Sequence, residues 1–314
     1  MRKYLILNCD DFGQSLAANK AIMHLLEEGK VSSATIMPPA PAFREAAEWA
    51  RSRPHLPLGL HLTLTSEFSG LRWKSLTGRA SLHDESGFMH RTVADFEQYA
   101  LAKDVKAEMR AQFQAVKKAG LRIIHVDNHM GSLYGLATGR SFLPHVLWQC
   151  AKRGMPFRIF RRIDPKDRFL ASIPGAEKAL APVVALADTL GVGIPDYLLS
   201  HPYHIEEGET YDSFKRSLVL KLYDLPEGVS ETYIHPAVPD AQLEKLIPSW
   251  SKRVWEYRLM LDPDFAYALK DANVTLTNYA YVRDHMRKPR IRAAGSLLRL
   301  MLAGGRHDSR QELH

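Results

Sequence analysis

Short apolar runs alternate with helical patterns along almost the whole chain, and this alternation restricts the fold more than any other feature. At least seven strand–helix repeats follow one another up to about residue 282. Strands that alternate with helices pair in parallel, because each helix returns the chain across the sheet. So many repeats without a dividing linker fit a closed barrel better than a short open sheet. The sequence therefore predicts one α/β domain over residues 1–287, a TIM-like β/α barrel of parallel strands.

Composition and charge place the chain among ordinary globular enzymes. Its 314 residues are 46% hydrophobic and 25% charged, and they include only two cysteines, Cys9 and Cys150. The net charge is +7, but residues 287–314 hold seven basic and two acidic residues, which is +5 and leaves +2 for the body. The body is therefore not expected to bind nucleic acid. Without a disulfide framework, a signal peptide or a membrane-spanning run, the expected location is the cytoplasm.

The first predicted strand ends at two adjacent carboxylates. Apolar residues 4–7 lead into Asp10 and Asp11, followed by Gly13. Two neighbouring aspartates repel each other unless a cation or a proton lies between them. In a β/α barrel this position is where chemistry occurs, because active sites form at the carboxyl ends of the strands. The pair therefore indicates a metal and directs attention to ligands at other strand ends.

Histidines follow the later predicted strands. His61 lies among threonines on the polar face of the third strand, while leucines occupy the other face. In the fourth strand, His125 and His129 share one face and compete as ligands, and Asp127 between them is placed to orient a ligand imidazole. His235 ends a later strand. Aspartate and histidine together are a ligand set for Zn²⁺ or another divalent ion that activates water.

These segments resemble the YdjC-like carbohydrate deacetylases. The resemblance is carried by Asp-Asp-Phe-Gly at 10–13, Gly-Leu-His-Leu-Thr-Leu-Thr at 59–65, His-Val-Asp-Asn-His at 125–129 and His-Pro at 235–236. Order and spacing agree over about residues 3–282. The resemblance implies a β/α barrel of the deacetylase type. It also implies a hydrolase that removes an N-acetyl group from an amino sugar or oligosaccharide.

The resemblance further implies a role for each site residue. Asp11, His61 and His129 would be the metal ligands, Asp10 the general base and His235 the general acid. The cofactor would be one divalent ion. Zn²⁺ suits these donors best, and Mg²⁺ is the alternative. The oligomeric state stays open, with a homodimer as one option.

One segment departs from the family pattern and leaves other functions open. Many relatives carry further histidines after the metal histidine, whereas here Met130, Gly131 and Ser132 follow. This loop borders the site, so the departure argues against carrying over a chitooligosaccharide substrate. The alternatives are a non-catalytic glycan-binding barrel and another metal hydrolase such as a phosphoesterase. The latter would need Arg158 or Arg161 for positive charge.

Three further expectations concern regular structure and the surface. Continuous helices are predicted over about 92–118 and 240–260, and a strand over about 156–161. Residues 66–90 lack periodicity and are predicted to form a long loop, which in compact domains often acts as a lid. His201 is predicted to be a surface or loop histidine.

The basic tail at 288–314 has two interpretations. Apolar residues recur there at helical spacing beside arginines. One interpretation is a basic amphipathic helix that lies on an anionic membrane. The other, which we favour, is a helix packed on the barrel and followed by a disordered end.

Overall fold

The computed structural model describes residues 2–171 and 176–288, in which seven strands form one sheet. The strands are β1 (Lys3–Phe12), β2 (Ser33–Ile36), β3 (Leu58–Leu62), β4 (Ile123–Asn128), β5 (Tyr197–Leu199), β6 (Gly228–Ile234) and β7 (Val274–Thr277). The helices are α1 (Leu16–Glu27), α2 (Phe43–Arg51), α3 (Val93–Tyr99), α4 (Ala102–Lys118), α5 (Leu143–Arg153), α6 (Arg168–Ala171), α7 (Ala176–Leu190), α8 (Tyr211–Tyr223), α9 (Ala241–Leu246), α10 (Trp250–Leu261), α11 (Pro263–Asp271) and α12 (Tyr279–Tyr281). Short 3₁₀ turns at Ala80–Leu82 and His129–Gly131 and a π turn at Val282–Met286 complete the regular structure.

The sheet is parallel throughout, and its two ends are joined by extended backbone. The strand order is β4-β3-β2-β1-β6-β5, and β7 pairs with the first half of β1. Beyond β4, Phe157 forms a parallel bridge with Val126 and its amide donates to the Gly193 carbonyl at 3.0 Å. The Asp196 amide then donates to the Val229 carbonyl at 2.8 Å. The predicted single α/β domain with parallel strands is confirmed.

The first strand shows how the two faces of the sheet are used. Leu5, Leu7 and Cys9 are fully buried in the main apolar core, which β1 shares with the surrounding helices. The alternate residues Asn8 and Asp10 face the interior of the barrel, where they hydrogen-bond to polar side chains. This alternation follows from the period of two along a strand. It places a polar interior inside an apolar layer.

The two long helices predicted from periodicity are wrong in one respect, because each is divided. At the end of α3 the chain becomes extended at Ala100 and Leu101, and the Leu101 amide donates to the Ser81 hydroxyl at 3.1 Å. Between α9 and α10 the chain is extended at Ile247. The next residue is Pro248, whose ring disfavours helical backbone in the residue before it.

The predicted strand over 156–161 is also wrong as a regular strand. In this segment only Phe157 forms a β-bridge. Farther along, the Arg161 amide donates to the carbonyls of Pro195 and Asp196, each at 3.1 Å. The segment therefore crosses the gap between β4 and β6 without a continuous ladder of its own.

The predicted tail lies outside the described residues, except for Lys288. Its two interpretations, like the domain boundary at residue 287, remain predictions. Across the described ranges, no helix is both long and apolar enough to cross a bilayer.

Candidate active site

Three of the predicted site residues meet at the carboxyl ends of the strands. Asp11 lies near the end of β1, His61 lies on β3 and His129 comes directly after β4. The Asp11 Oδ1 atom lies 3.5 Å from His61 Nε2 and 3.3 Å from His129 Nδ1. All three side chains are at least nine-tenths buried, and Asp11 Oδ1 has no hydrogen-bond partner. A buried carboxylate oxygen between two imidazole nitrogens is a donor set that fits one divalent ion.

The backbone at Asp11 explains how two consecutive aspartates can face the same interior. Consecutive side chains on a strand point to opposite faces. The pairing of β1 with β2 shifts register between Cys9 and Phe12, and Asp11 has a φ of 64°. A bulge with left-handed backbone turns the second carboxylate inward at some cost in strain. Asp10 and Asp11 therefore both reach the site but bind different partners.

Each aspartate is neutralised by its own buried arginine. Arg158 binds Asp10 through two bonds, Nη1 to Oδ2 at 2.6 Å and Nη2 to Oδ1 at 2.7 Å. Arg253 donates from Nη2 to Asp11 Oδ2 at 2.8 Å, and Gln14 donates to the same oxygen at 2.9 Å. The repulsion inferred from the sequence is thus relieved largely by two guanidinium groups. The argument for a metal rests instead on the unpartnered Asp11 Oδ1.

Both histidines are held by a carboxylate on the side away from Asp11. His61 Nδ1 lies 2.7 Å from Asp127 Oδ1. His129 Nε2 lies 2.8 Å from Oε2 of Glu67, a residue in the loop after β3. Such contacts fix which ring nitrogen carries the proton and which is free to bind a metal. The orienting carboxylate inferred from the sequence, Asp127, therefore serves His61 and not its neighbour His129.

The charges around the two imidazoles favour a cation between them. Burial acts most strongly and would lower the pKa of each histidine, but nearby carboxylates outweigh it. Asp127 and Asp10 raise the pKa of His61 to about 10, and Glu67 with Asp11 raises that of His129 to about 9. For Asp11 burial acts in the opposite direction and would raise the pKa, yet Arg253 and the histidines hold it well below its usual range. A metal ion would compete with protons for this potential.

Arg158 connects Asp10 to a network of buried polar side chains. Its Nε donates to Glu231 Oε1 at 2.9 Å, and its Nη2 lies 3.0 Å from Asp127 Oδ2. The hydroxyl of Tyr279 donates to the other oxygen of Glu231. Burial raises the pKa of Glu231 to about 7, with Arg158 opposing. Because Arg158 is shared among Asp10, Asp127 and Glu231, it holds Asp10 in a fixed orientation.

His125, the competing ligand, lies elsewhere in the barrel. Its ring stacks on Tyr279 with the centroids 4.0 Å apart and the planes 8° from parallel. Neither of its ring nitrogens has a hydrogen-bond partner, and burial lowers its pKa to about 3. A Cβ at Gly59 would lie 2.4 Å from its Cε1, so the neighbouring strand leaves room only for glycine. Of the two histidines, the structure brings His129 to Asp11.

The predicted acid, His235, lies at the end of β6 and is partly exposed. Its ring centroid is 5.9 Å from that of Tyr203 and 5.7 Å from that of Tyr233. Its amide donates to Glu256 Oε2 at 2.7 Å, and burial lowers the pKa of its imidazole, with Asp11 and Glu256 opposing. The other Glu256 oxygen lies 2.9 Å from His201 Nε2. His201 lies outside the strands and helices, as predicted for a loop histidine, and this contact holds its side chain in the interior.

Comparison with known proteins shows the family of this chain. A family model described as YdjC-like protein matches residues 4–271. The chain belongs to the YdjC-like family. A carbohydrate deacetylase of Enterococcus faecalis (strain ATCC 700802 / V583) is 30% identical over 287 residues, covering 88% of this chain and 97% of that protein. A carbohydrate deacetylase of Thermoanaerobacter pseudethanolicus (strain ATCC 33223 / 39E) is 25% identical over 282 residues, covering 90% and 100%.

A solved structure is also similar to this YdjC-like protein. It comes from Enterococcus faecalis V583 and is provisionally described as a cellobiose-phosphate cleavage protein. The two share a TM-score of 0.70 and 27% sequence identity, over 89% of this chain and 98% of that one. The fold and the family resemblance are thereby confirmed over nearly the whole chain.

Three residues of the YdjC-like site were not assigned these roles from the sequence. Glu67 lies in an aperiodic loop, and Arg253 lies on α10 among other charged residues. For Arg158 the sequence leaves open a contact with a sugar or an anionic group and, as the commoner outcome, a solvated or salt-bridged position; the structure pairs it with three carboxylates of the protein. A buried arginine beside a carboxylate leaves no local pattern, because the partners are distant in sequence.

Proposed function

We propose that this chain is a metal-dependent carbohydrate deacetylase that hydrolyses the N-acetyl group of an amino sugar. Family membership supports this, as do two relatives named carbohydrate deacetylase that are matched over nearly their full length. The observation that carries the proposal is the unpartnered Asp11 Oδ1 between His61 Nε2 and His129 Nδ1. Asp11, His61 and His129 are the proposed ligands.

The cofactor is one divalent ion. The borderline donors favour Zn²⁺, and Mg²⁺ remains the alternative that metal analysis would decide. When bound, such an ion makes water more acidic and polarises the acyl oxygen of the substrate. The protein supplies a buried setting in which that polarisation is weakly screened.

Asp10 is the proposed general base. Its carboxylate is 3% exposed as a residue and receives bonds from Arg158 and from Asn8 Nδ2, the latter at 2.8 Å. These bonds fix its direction toward the interior, beside the ligand Asp11. A positioned base of this kind takes the proton from the attacking water.

His235 is the proposed general acid. Burial disfavours its protonated form, so an imidazolium at this position gives up its proton more readily than one in water. His235 is a partly exposed residue directly after β6, at the edge of the sheet where Asp11 and His129 also lie. The hydrogen bond from its amide to Glu256 fixes the backbone of His235. We infer that His235 protonates the amine as the C–N bond breaks.

The phosphoesterase alternative loses its support in this geometry. It needs basic side chains that face a substrate phosphate. Arg158 is bonded to three carboxylates, and Arg161 forms bonds of 3.0 and 2.7 Å with Asp188. Neither guanidinium is left to bind an anion.

Acetate release tests the proposal. We expect metal-replete protein to release acetate from an N-acetylated sugar and chelator to abolish the release. Asp10→Asn should keep the metal and lower kcat by about 10²–10⁴-fold, whereas His129→Ala should lose the metal and turnover together.

Three outcomes would contradict the proposal in different ways. A metal-replete enzyme that releases no acetate from a broad panel is not a deacetylase. An empty metal site with sugar binding retained would indicate the non-catalytic glycan-binding barrel. Full activity in Asp10→Asn would remove Asp10 as the base. The cytoplasmic location and a homodimer remain predictions.

A further inference from the structure

A buried glutamate on α10, Glu256, takes no part in the proposed chemistry. It is one of three charged residues on this helix that are at most 2% exposed, the others being Lys252 and Arg253. Burying a charge is costly unless a partner offsets it. Arg253 is paired with the proposed metal ligand Asp11, at 2.8 Å. The partners of Glu256 lie instead on the side of the site that holds the proposed acid.

The two oxygens of Glu256 hold two different loops. Oε2 accepts a hydrogen bond at 2.7 Å from the amide of His235, directly after β6. Oε1 lies 2.9 Å from Nε2 of His201, in the loop after β5. Strands β5 and β6 are neighbours in the sheet. One buried carboxylate therefore ties together the loops that follow these strands, and bonds to an ionised acceptor are stronger than bonds to a neutral one.

The backbone that carries the His235 ring is attached to α10 at two points. The first is the bond from its own amide to Glu256. Pro236 follows and has no amide hydrogen to donate. The amide of Ala237 then donates to the carbonyl of Arg253 at 3.2 Å. The same helix thus holds the proposed acid through its backbone and a proposed metal ligand through the Arg253 side chain, which fixes the position of one relative to the other.

The charge of Glu256 also acts on the imidazole of His235. The titratable groups around this ring are Asp10 and Asp11 of β1, Tyr203 of the loop after β5, Tyr233 of β6, and Arg253 and Glu256 of α10. Burial lowers the pKa of His235, and the carboxylates of Asp11 and Glu256 oppose burial. A general acid must carry its proton when the substrate is bound. Glu256 therefore helps to keep the protonated form available.

We propose that Glu256 is a positioning residue for the general acid. It fixes the direction of the His235 imidazole by holding the backbone that carries the ring, and it contributes a negative charge that favours the imidazolium. Glu256 itself gives and takes no proton. When the C–N bond breaks, its electron pair goes to the leaving nitrogen, which takes the proton from His235. This inference rests on the proposed deacetylase function, in which His235 is the acid.

Two substitutions separate the hydrogen bonds of Glu256 from its charge. In Glu256→Gln the amide oxygen can still accept from the His235 amide, and the amide nitrogen can donate to Nε2 of the other tautomer of His201. Glu256→Ala removes both bonds. With N-acetylglucosamine, or a better substrate from the acetate-release panel, Glu256→Ala should lower kcat about 100-fold because the acid is misplaced. Glu256→Gln should recover about tenfold of that loss, and KM should stay within about twofold of wild type in both.

A double-mutant cycle decides whether Glu256 acts through His235. If it does, Glu256→Ala should lower kcat by less than about threefold in the His235→Asn background. The control is Glu209→Ala, which removes the carboxylate that pairs with Lys252 of the same helix. The factor by which this control changes kcat should be the same in both backgrounds. An equal loss from Glu256→Ala in both backgrounds would overturn the proposal, because Glu256 would then act on the fold alone.

Nuclear magnetic resonance keeps this inference separate from the deacetylase proposal. The ¹³C and ¹H shifts of the His235 ring, assigned by their loss in His235→Asn, report its pKa in chelator-treated protein without turnover. This pKa should fall in Glu256→Gln and stay at the wild-type value in Glu209→Gln. If no sugar releases acetate but the pKa falls in this way, the deacetylase proposal fails and the coupling of Glu256 to His235 stands. An unchanged pKa in Glu256→Gln would overturn the electrostatic part of the proposal.

Discussion

The two histidines of the site are each held by a carboxylate, but the carboxylates belong to different kinds of structure. Asp127 lies on β4, is fully buried, and is further bonded by Thr35 at 2.8 Å and by Arg158 at 3.0 Å. Glu67 lies in the loop after β3, and its side chain is 11% exposed. His61 is therefore oriented by the barrel itself, whereas the orientation of the second histidine depends on a loop.

This difference separates what the fold must supply from what can be adjusted. A strand carboxylate with several partners cannot shift without disturbing the network that also holds Asp10. The loop carboxylate of Glu67 also lines a groove of about 430 Å³. The orientation of His61 is thus built into the core, whereas that of His129 is open to change at a lower cost to the barrel. Four predictions test this contrast, ordered by their expected effect on metal affinity.

The pH dependence of metal binding should be the largest effect, because both carboxylates raise the pKa of their histidines. With values of about 10 for His61 and about 9 for His129, both imidazoles are protonated at pH 7 in the metal-free protein. Each proton must leave for the metal to bind, so the dissociation constant should fall roughly hundredfold per pH unit between pH 6 and 8. Calorimetry in buffers of different ionisation enthalpy should count about two protons released per ion.

Stability of the metal-free protein provides the check on this interpretation. Because the folded pKa values lie above the ordinary value of about 6.5, the two protonated histidines stabilise the fold fully below that pH. That contribution should be lost as pH rises through about 9 and then about 10. Metal affinity that is flat between pH 6 and 8 would show that the imidazoles are already neutral.

Asp127→Asn should have the next largest effect. The amide keeps the shape but removes the charge that faces His61 and Arg158, so the metal dissociation constant should rise about 100-fold. The free energy of unfolding should fall by about 3–5 kcal/mol, because a buried guanidinium loses one of its partners. Calorimetry and urea denaturation measure the two quantities. A variant with weaker metal binding but unchanged stability would contradict the view that this carboxylate belongs to the core network.

The same contrast explains how far the sequence could predict the site. Asp127 and His61 lie on strands with clear alternation, so their positions follow from the period of two and from the meeting of parallel strand ends. Glu67 lies in an aperiodic stretch, and no local pattern selects it. Arg253 is equally hidden, because it is one charged residue of a helix until α10 packs across the barrel and brings it to Asp11.

The barrel itself was predictable for a similar reason. Parallel pairing follows from alternating elements, whereas the breaks within long helical patterns depend on single contacts. The Leu101 amide is drawn to Ser81, a residue of the preceding loop, and this tertiary bond overrides the helical pattern. The crossing at 156–161 shows the same limit, since its apolar residues do not reveal that only Phe157 forms a bridge.

Glu67→Gln should weaken the metal about tenfold, at the low end of what the loss of an orienting carboxylate costs. The glutamine can still meet His129 Nε2 but no longer attracts the proton on it. The free energy of unfolding of the metal-free protein should fall by about 1–2 kcal/mol at pH 7, less than in Asp127→Asn, because the protonated form of His129 loses the carboxylate that favours it. Glu85→Gln, an exposed glutamate in the same loop, is the matched control and should change neither quantity.

Two outcomes would remove the distinction between the two carboxylates. One is a loss of stability in Glu67→Gln comparable to that of Asp127→Asn, which would place both carboxylates in the structural core. The other is unchanged metal affinity, which would mean that the loop does not orient His129. The pH dependence of binding in this variant gives a further readout. Without Glu67 the pKa of His129 should fall, so fewer protons are released per ion at pH 7.

The smallest effect is expected at His125, the histidine that has no carboxylate partner. Its ring stacks on Tyr279 at 4.0 Å, and neither nitrogen is hydrogen-bonded. His125→Phe keeps an aromatic ring at this position, so the metal dissociation constant should stay within about threefold of wild type. The larger ring meets the tight contact with Gly59, which should lower the free energy of unfolding by about 1–3 kcal/mol. If the metal is lost in this variant while the fold is retained, His125 is a ligand after all, and the pairing of one carboxylate with each ligand histidine no longer describes the site.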